Sequence, residues 1–214
     1  RTKKGDRGST RWTYHGEGGV VQGRNKYPTQ YALFGHTPAA PTALARCVLV
    51  TVASGACIPD SVTSYNLLAD PEVSPIVTGN RGQIGGQVSG GSELVRYFVS
   101  GDVEHERGPT ELPKFYRNYF DSLGTTVREE WLHPQDFKRN SLRANMNIVL
   151  SPKLDLGINT SYGKTSQRLP QVDNNTFSYF YQGFNNPGFK ASLLCQTSPS
   201  SCLGYSNKGQ LGET

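Results

Sequence analysis

Along residues 83–164 the side chains alternate in kind, one by one. From Val95 the positions Val95, Tyr97, Val99, Gly101 and Val103 are apolar or small. Between them lie Arg96, Phe98, Ser100, Asp102 and Glu104, polar except for Phe98. From Leu142 one set is Leu142, Ala144, Met146, Ile148 and Leu150, and the other is Arg143, Asn145, Asn147 and Val149. From Leu154 the sets are Leu154, Leu156, Ile158 and Tyr162 against Asp155, Asn159, Ser161 and Lys164. Side chains of a strand point to opposite faces with period two, so the pattern predicts strands over residues 83–89, 93–104, 139–150 and 154–165. Tight turns are expected at Ser89-Gly90-Gly91-Ser92-Glu93 and Ser151-Pro152-Lys153, with Gly90-Gly91 supplying positive φ angles.

The rest of the chain adds one strand and three long connections. Residues 10–21 alternate again, with Trp12, Tyr14, Gly16, Gly18 and Val20 against Arg11, Thr13, His15 and Glu17. Residues 22–82 are punctuated by Pro28, Pro38, Pro41, Pro59, Pro71 and Pro75, which rules out a continuous central strand. Within them Val48-Leu49-Val50-Thr51-Val52 is β-prone, and a short helix over residues 64–68 is weakly indicated. Residues 105–138 and 166–214 are further long loops. Connections therefore alternate long, tight, long, tight, long. All tight turns fall at one end of the sheet and all long loops at the other.

That sorting matters because two kinds of sheet share the alternation. A soluble sandwich packs its apolar face on a core and wets the other. A membrane barrel turns its apolar face to lipid, its polar face to a wet lumen, and has short turns at one rim and long loops at the other. A sandwich has no reason to sort its connections, so the expected fold is all-β: an antiparallel up-and-down meander forming part of a transmembrane β-barrel.

Composition is compatible with this. No run approaches the ~20 apolar residues of a membrane helix, but barrel strands are amphipathic and escape that criterion. Hydrophobic residues make up 35% of the chain and the mean hydropathy is −0.52, with 24 Gly and 11 Tyr. Gly and Tyr enrichment suits exposed β structure with aromatic girdles, or a secreted β protein. The net charge is +5, but Lys and Arg are scattered, so a solvated surface is expected rather than a nucleic-acid partner. Neither a signal peptide nor a clear start or stop is visible, which reads as an internal fragment.

The hairpin Val88-Ser89-Gly90-Gly91-Ser92-Glu93, followed by Tyr97-Phe98-Val99-Ser100, resembles the early barrel of SusC/RagA-type TonB-dependent outer-membrane receptors. Gly108 falls where that family has a loop glycine. Residues 141–147 and Leu154-Asp155-Leu156-Gly157 resemble its next two strands, and Thr2-Lys3-Lys4-Gly5 resembles the end of its plug domain. The resemblance runs in the family's order from Thr2 to about Thr165. It implies a barrel of about 22 strands around a plug, importing oligosaccharides or peptides on energy relayed by TonB. It also implies a cell outer-membrane location with extracellular long loops. The partners would be outer-membrane lipid, the TonB system through the plug, and a SusD-like surface lipoprotein. On this reading residues 1–9 are the plug exit, residues 10–165 about five barrel strands with loops 22–82 and 105–138, and residues 166–214 a truncated extracellular loop. The TonB box, plug body and terminal aromatic strand are missing from the sequence.

Candidate chemistry follows from parity. Arg11, Glu17, Arg96, Asp102, Glu104 and Arg143 share the polar face and read as a lumen wall. Asp102 and Glu104 could alternatively form a carboxylate pair for glycoside hydrolysis, but a wet lumen wall accounts for them better. His15, His36, His105 and His133 are dispersed and no nucleophile elbow appears, so no enzyme activity is expected. Cys47 with Cys57, and Cys195 with Cys202, would close short loops worth about 2–3 kcal/mol each. Zinc is the rival, but neither pair has CxxC spacing, so neither metal nor other cofactor is expected. Phe177, Tyr179, Phe180, Tyr181, Phe184 and Phe189 form an aromatic cluster that would stack on sugar rings, grip a partner, or simply pack. The competing reading of the whole chain is a secreted, disulfide-stapled β-rich binding or adhesion module.

Overall fold

The computed structural model describes residues 5, 7–171 and 178–184. Eight strands run in the order β1 (Gly8–Val21), β2 (Gln30–Thr37), β3 (Ala40–Cys47), β4 (Ile58–Tyr65), β5 (Gly79–Gly91), β6 (Val95–Arg107), β7 (Asp136–Ser151) and β8 (Leu154–Arg168). Among the described residues four short α-helices accompany them: α1 (Leu49–Ala53), α2 (Lys114–Ser122), α3 (Glu129–Leu132) and, after β8, α4 (Tyr179–Phe184). Every strand pairing is antiparallel, and the fold is all-β with up-and-down sheets, as the alternation predicts. The chain divides into two compact units.

The first unit is one five-stranded sheet of order β1-β5-β6-β7-β8. It is open among the described residues: β1 and β8 each keep an unpaired edge, and the sheet does not close on itself. Its strands run 13 to 16 residues, longer than the usual 5 or 6. Register carries the alternation across the sheet. Tyr14 pairs with Gly86, Gly86 with Gly101, Gly101 with Leu142, and Leu142 with Tyr162. Trp12, Val88, Val99, Ala144 and Thr160 form the row beside it. One face is therefore apolar on all five strands. That face is also exposed: Tyr14 is 75% accessible, Ile84 69%, Leu142 51% and Tyr162 61%.

Both tight turns lie at one end of this sheet, and the chain departures after β1, β6 and β8 lie at the other. The first turn differs in detail from the expectation. Gly90 and Gly91 remain in β5, paired with Tyr97 and Arg96, and neither has a positive φ. The reversal is made by Ser92-Glu93-Leu94, where the Ser92 hydroxyl accepts from the amides of Leu94 and Val95, both at 3.2 Å. Gly91 is needed for space: a Cβ there would run into the Val95 carbonyl and the Arg96 backbone. β5 also begins at Gly79, four residues before the expected start, because Gly79-Asn80-Arg81-Gly82 pairs in register without an apolar residue to mark it.

The second unit takes in residues 23–77 and 110–134 and, of the third long connection, the described residues 170–171 and 178–184. These connections fold together rather than remaining irregular. Leu67, Leu68 and Val73 from the first pack with Leu112 and Tyr116 from the second, all buried. The Phe115 amide donates to Glu72 O at 2.8 Å and the Glu111 amide to Pro75 O at 2.9 Å, tying the two connections by backbone. Phe180 of α4, from the third, lies 5.9 Å from Tyr27, ring centre to ring centre. A separate three-stranded sheet of order β3-β2-β4 occupies the first connection; its central strand β2 holds no proline, and Pro41 and Pro59 sit second in the edge strands β3 and β4.

The expected Cys47–Cys57 disulfide is present, with Cα atoms 5.6 Å apart. The β-prone run it encloses is not a strand. Residues 49–53 form α1, because no neighbouring strand is there to pair with them and a helical turn satisfies their backbone internally. The Thr51 hydroxyl both accepts from Val48 N, at 3.1 Å, and donates to Val48 O, at 2.8 Å, and Gly55 turns the chain back at φ +71°. The expected short helix over residues 64–68 is a single 3-10 turn at Leu67–Ala69, capped by Asn66. Cys195 and Cys202 lie outside the described residues.

Candidate functional site

The face opposite the apolar one carries the sheet's polar chemistry. Period two in a continuous register places Arg11, Glu17, Arg96, Asp102, Glu104 and Arg143 together on it. Two residues outside the expected set organise part of them. Arg81 of β5 reaches Glu17 at 3.0 Å and Glu104 at 2.6 Å, and Arg139 of β7 reaches Glu104 at 2.7 Å. A ladder Glu17–Arg81–Glu104–Arg139 thus crosses four adjacent strands. Glu104 is buried, and each of its oxygens meets a different guanidinium. Arg81 lies in the segment 22–82, where the prolines predict loop and no apolar alternation marks a strand. Extending the alternation Arg81, Gln83, Gly85, Gln87 backwards from β5 would have found it.

Asp102 accepts from Gln83 Nε2 at 3.1 Å and from the Ser141 hydroxyl. Both carboxylates of the candidate pair are therefore occupied by neighbours on the sheet, Glu104 by cations and Asp102 by neutral donors. Arg143 lines a shallow recess of about 330 Å³ with His15, Gln87, Phe98, Ser100 and Asp102. Arg96 lines another, of about 360 Å³, with Asn145, Asn147, Asp155 and Asn159, towards the tight-turn end. Arg96 Nε is buried there and makes no hydrogen bond among the described residues. Arg11 is exposed on β1. Dense in amides, hydroxyls and both signs of charge, this surface offers hydrogen bonds to a hydrated solute and no enclosed reaction chamber.

Removing the hub tests how much of the wall depends on it. Glu104→Ala leaves Arg81 and Arg139 facing one another across β6 with their shared partner gone. We expect a loss of about 1–3 kcal/mol, below the ~3–5 kcal/mol of breaking a fully buried ion pair, because both arginines keep solvent contact. Denaturant titration of the purified protein measures it. Adding Arg139→Ala should restore part of the loss; a double variant worse than the sum would contradict the ladder.

The aromatic cluster divides. Phe180 is half-buried against the core of the second unit. Tyr181 and Phe184 stay exposed, at 41% and 42%. The Tyr179 side chain, Phe177 and Phe189 lie outside what the structure describes. Among the histidines, His105 Nε2 lies 2.7 Å from Asp136 and His36 Nδ1 lies 2.8 Å from Asp60, each a local pair on its own sheet. Cys47 and Cys57, being joined, are not metal ligands. No family model matches the chain, and no curated protein or solved structure matches it.

Proposed function

We propose that this chain is a segment of a TonB-dependent outer-membrane transporter of the SusC/RagA type, contributing about five consecutive strands of its barrel wall. The observation that supports this best is the exposed apolar face. Five strands at about 4.8 Å spacing and about 35 Å of length make it roughly 800 Å², more than the few hundred Å² that soluble monomers expose. The apolar positions run nine residues on each of β7 and β8, from Leu142 to Leu150 and from Leu154 to Tyr162. That is close to the ~9–11 residues of a tilted membrane strand. The opposite face, with its charge ladder and amides, suits a water-filled lumen wall. Turns sorted to one end and long connections to the other suit a periplasmic and an extracellular rim.

On this reading the polar face guides bulky oligosaccharides or peptides past a plug driven by TonB. The long loops are extracellular on this reading, where cargo or a surface lipoprotein meets them. Cysteine scanning of the whole protein in outer membranes tests the orientation. At Leu142, Ala144 and Met146 a water-soluble maleimide should fail to label, while at Arg143, Asn147 and Ser161 it should label above the parent background. Equal labelling at both parities would sink the barrel reading and favour the secreted binding module.

A further inference from the structure

The outward, apolar face changes character abruptly at its loop-bearing end. Beyond the row Tyr14–Gly86–Gly101–Leu142–Tyr162 comes Asn140 paired with Lys164, then His105 paired with Lys138, then Arg107 and Arg168 flanking Asp136. By parity all of these lie on the outward side. Asp136 is the sole acid on that face among the described strands of the sheet; Glu17, Asp102, Glu104, Glu106 and Asp155 are all on the polar side. Asp136 is also already engaged, by His105 at 2.7 Å and Lys138 at 3.2 Å. Lys164 has no acidic partner among the described residues and is exposed. At the tight-turn end the outward rows hold no cation at all, only residues such as Ile148, Leu150, Leu154 and Leu156. Outward positive charge is therefore gathered at one boundary.

Directly below this basic rim the apolar face has an open depression of about 520 Å³. Its lining includes the cross-strand glycine pair Gly86 and Gly101, the Tyr14 ring lying against Gly86 and Gly101 being open, together with Ile84, Leu142 and Tyr162. Gly101, with no side chain, leaves a furrow between the Tyr14 ring and Leu142.

We infer that rim and furrow form one lipid-binding site, in which Lys138 and Lys164 hold the phosphate of an acylated, phosphorylated glycolipid of the outer leaflet and the Gly86–Gly101 furrow takes one of its acyl chains. Charge complementarity selects this occupant: a phosphate at the boundary meets cations with one engaged acid, while an acyl chain meets only apolar walls. The inference rests on the transporter reading, which sets the apolar face in lipid and the long connections outside.

The test uses the whole protein, purified from outer membranes in mild detergent, with purified lipopolysaccharide as probe and native mass spectrometry as readout. Lys138→Gln with Lys164→Gln should weaken binding roughly thirtyfold, two near-surface cations' worth. Gly101→Leu should also displace the lipid without disturbing the sheet, since a Cβ there meets its nearest atoms at 3.5 Å and 3.6 Å, ordinary contact. Lys153→Gln, in the opposite turn, should change nothing. Wild-type affinity in the double lysine variant overturns the inference, as does complete displacement by millimolar inorganic phosphate, which would mean a free-anion site. Failure of the transporter reading is read separately: the protein would then fractionate with soluble material before any lipid is added.

Discussion

Met146→Arg should destabilise the membrane-inserted protein by about 2–4 kcal/mol, the cost of a guanidinium on the lipid face near mid-bilayer. Met146 lies in the middle of the apolar band on β7, between Ala144 and Ile148, and pairs with Tyr97 and Ile158. It is 41% exposed, which makes the substitution diagnostic. If that exposure were to water, arginine there would cost within about 0.5 kcal/mol, as most surface changes do. If it is to hydrocarbon, the charge must be desolvated or dragged to the interface. Thr13→Arg supplies the control. Thr13 is exposed on the polar face of β1, opposite Gln87, and the same added charge should leave stability within about 0.5 kcal/mol. Denaturant titration in lipid vesicles compares the two. Similar small effects for both would argue that the apolar face never meets lipid.

The strands were readable because one face of each is uniformly apolar and period two is unambiguous over so many residues. β6, β7 and β8 carry that signal with few exceptions; of the apolar residues on the polar side, Phe98, Phe137 and Val149, Phe98 is buried. The signal fades at strand ends. β5 starts on Gly79 and β7 on Asp136, where nothing apolar marks the face and only hydrogen-bond register extends the ladder. That fading covers Arg81, whereas Arg139 opens the expected strand 139–150 on the polar parity and is found by carrying the alternation of Arg143 back two steps. The second unit was least legible. Its core joins residues from separate connections, and no local period announces that Leu67 will meet Tyr116. Within it, Val48–Val52 followed the enclosing geometry of the Cys47–Cys57 loop rather than its own β propensity.

That second unit carries the other large effect. Leu67 is 1% exposed and packs among Leu68, Val73, Leu112 and Tyr116, so Leu67→Ala removes the side chain from between two connections that hold each other. Large-to-small changes at such sites cost about 2–5 kcal/mol, the higher values where the surroundings cannot collapse. Collapse is restricted here, because the backbone on both sides is pinned, Phe115 N to Glu72 O and Glu111 N to Pro75 O. The upper half of the range is therefore expected. Hydrogen exchange locates the loss. The amides of Glu111 and Phe115 report the seam itself and should exchange about a hundredfold faster or more, the equivalent of roughly 3 kcal/mol. Phe180 leans on the same core through Tyr27, so α4 and its exposed Tyr181 and Phe184 should loosen with it. Unchanged protection at Glu111 and Phe115 would mean that the three connections do not share a core. The aromatic surface at α4 would then have no rigid support from which to grip a cargo or a partner.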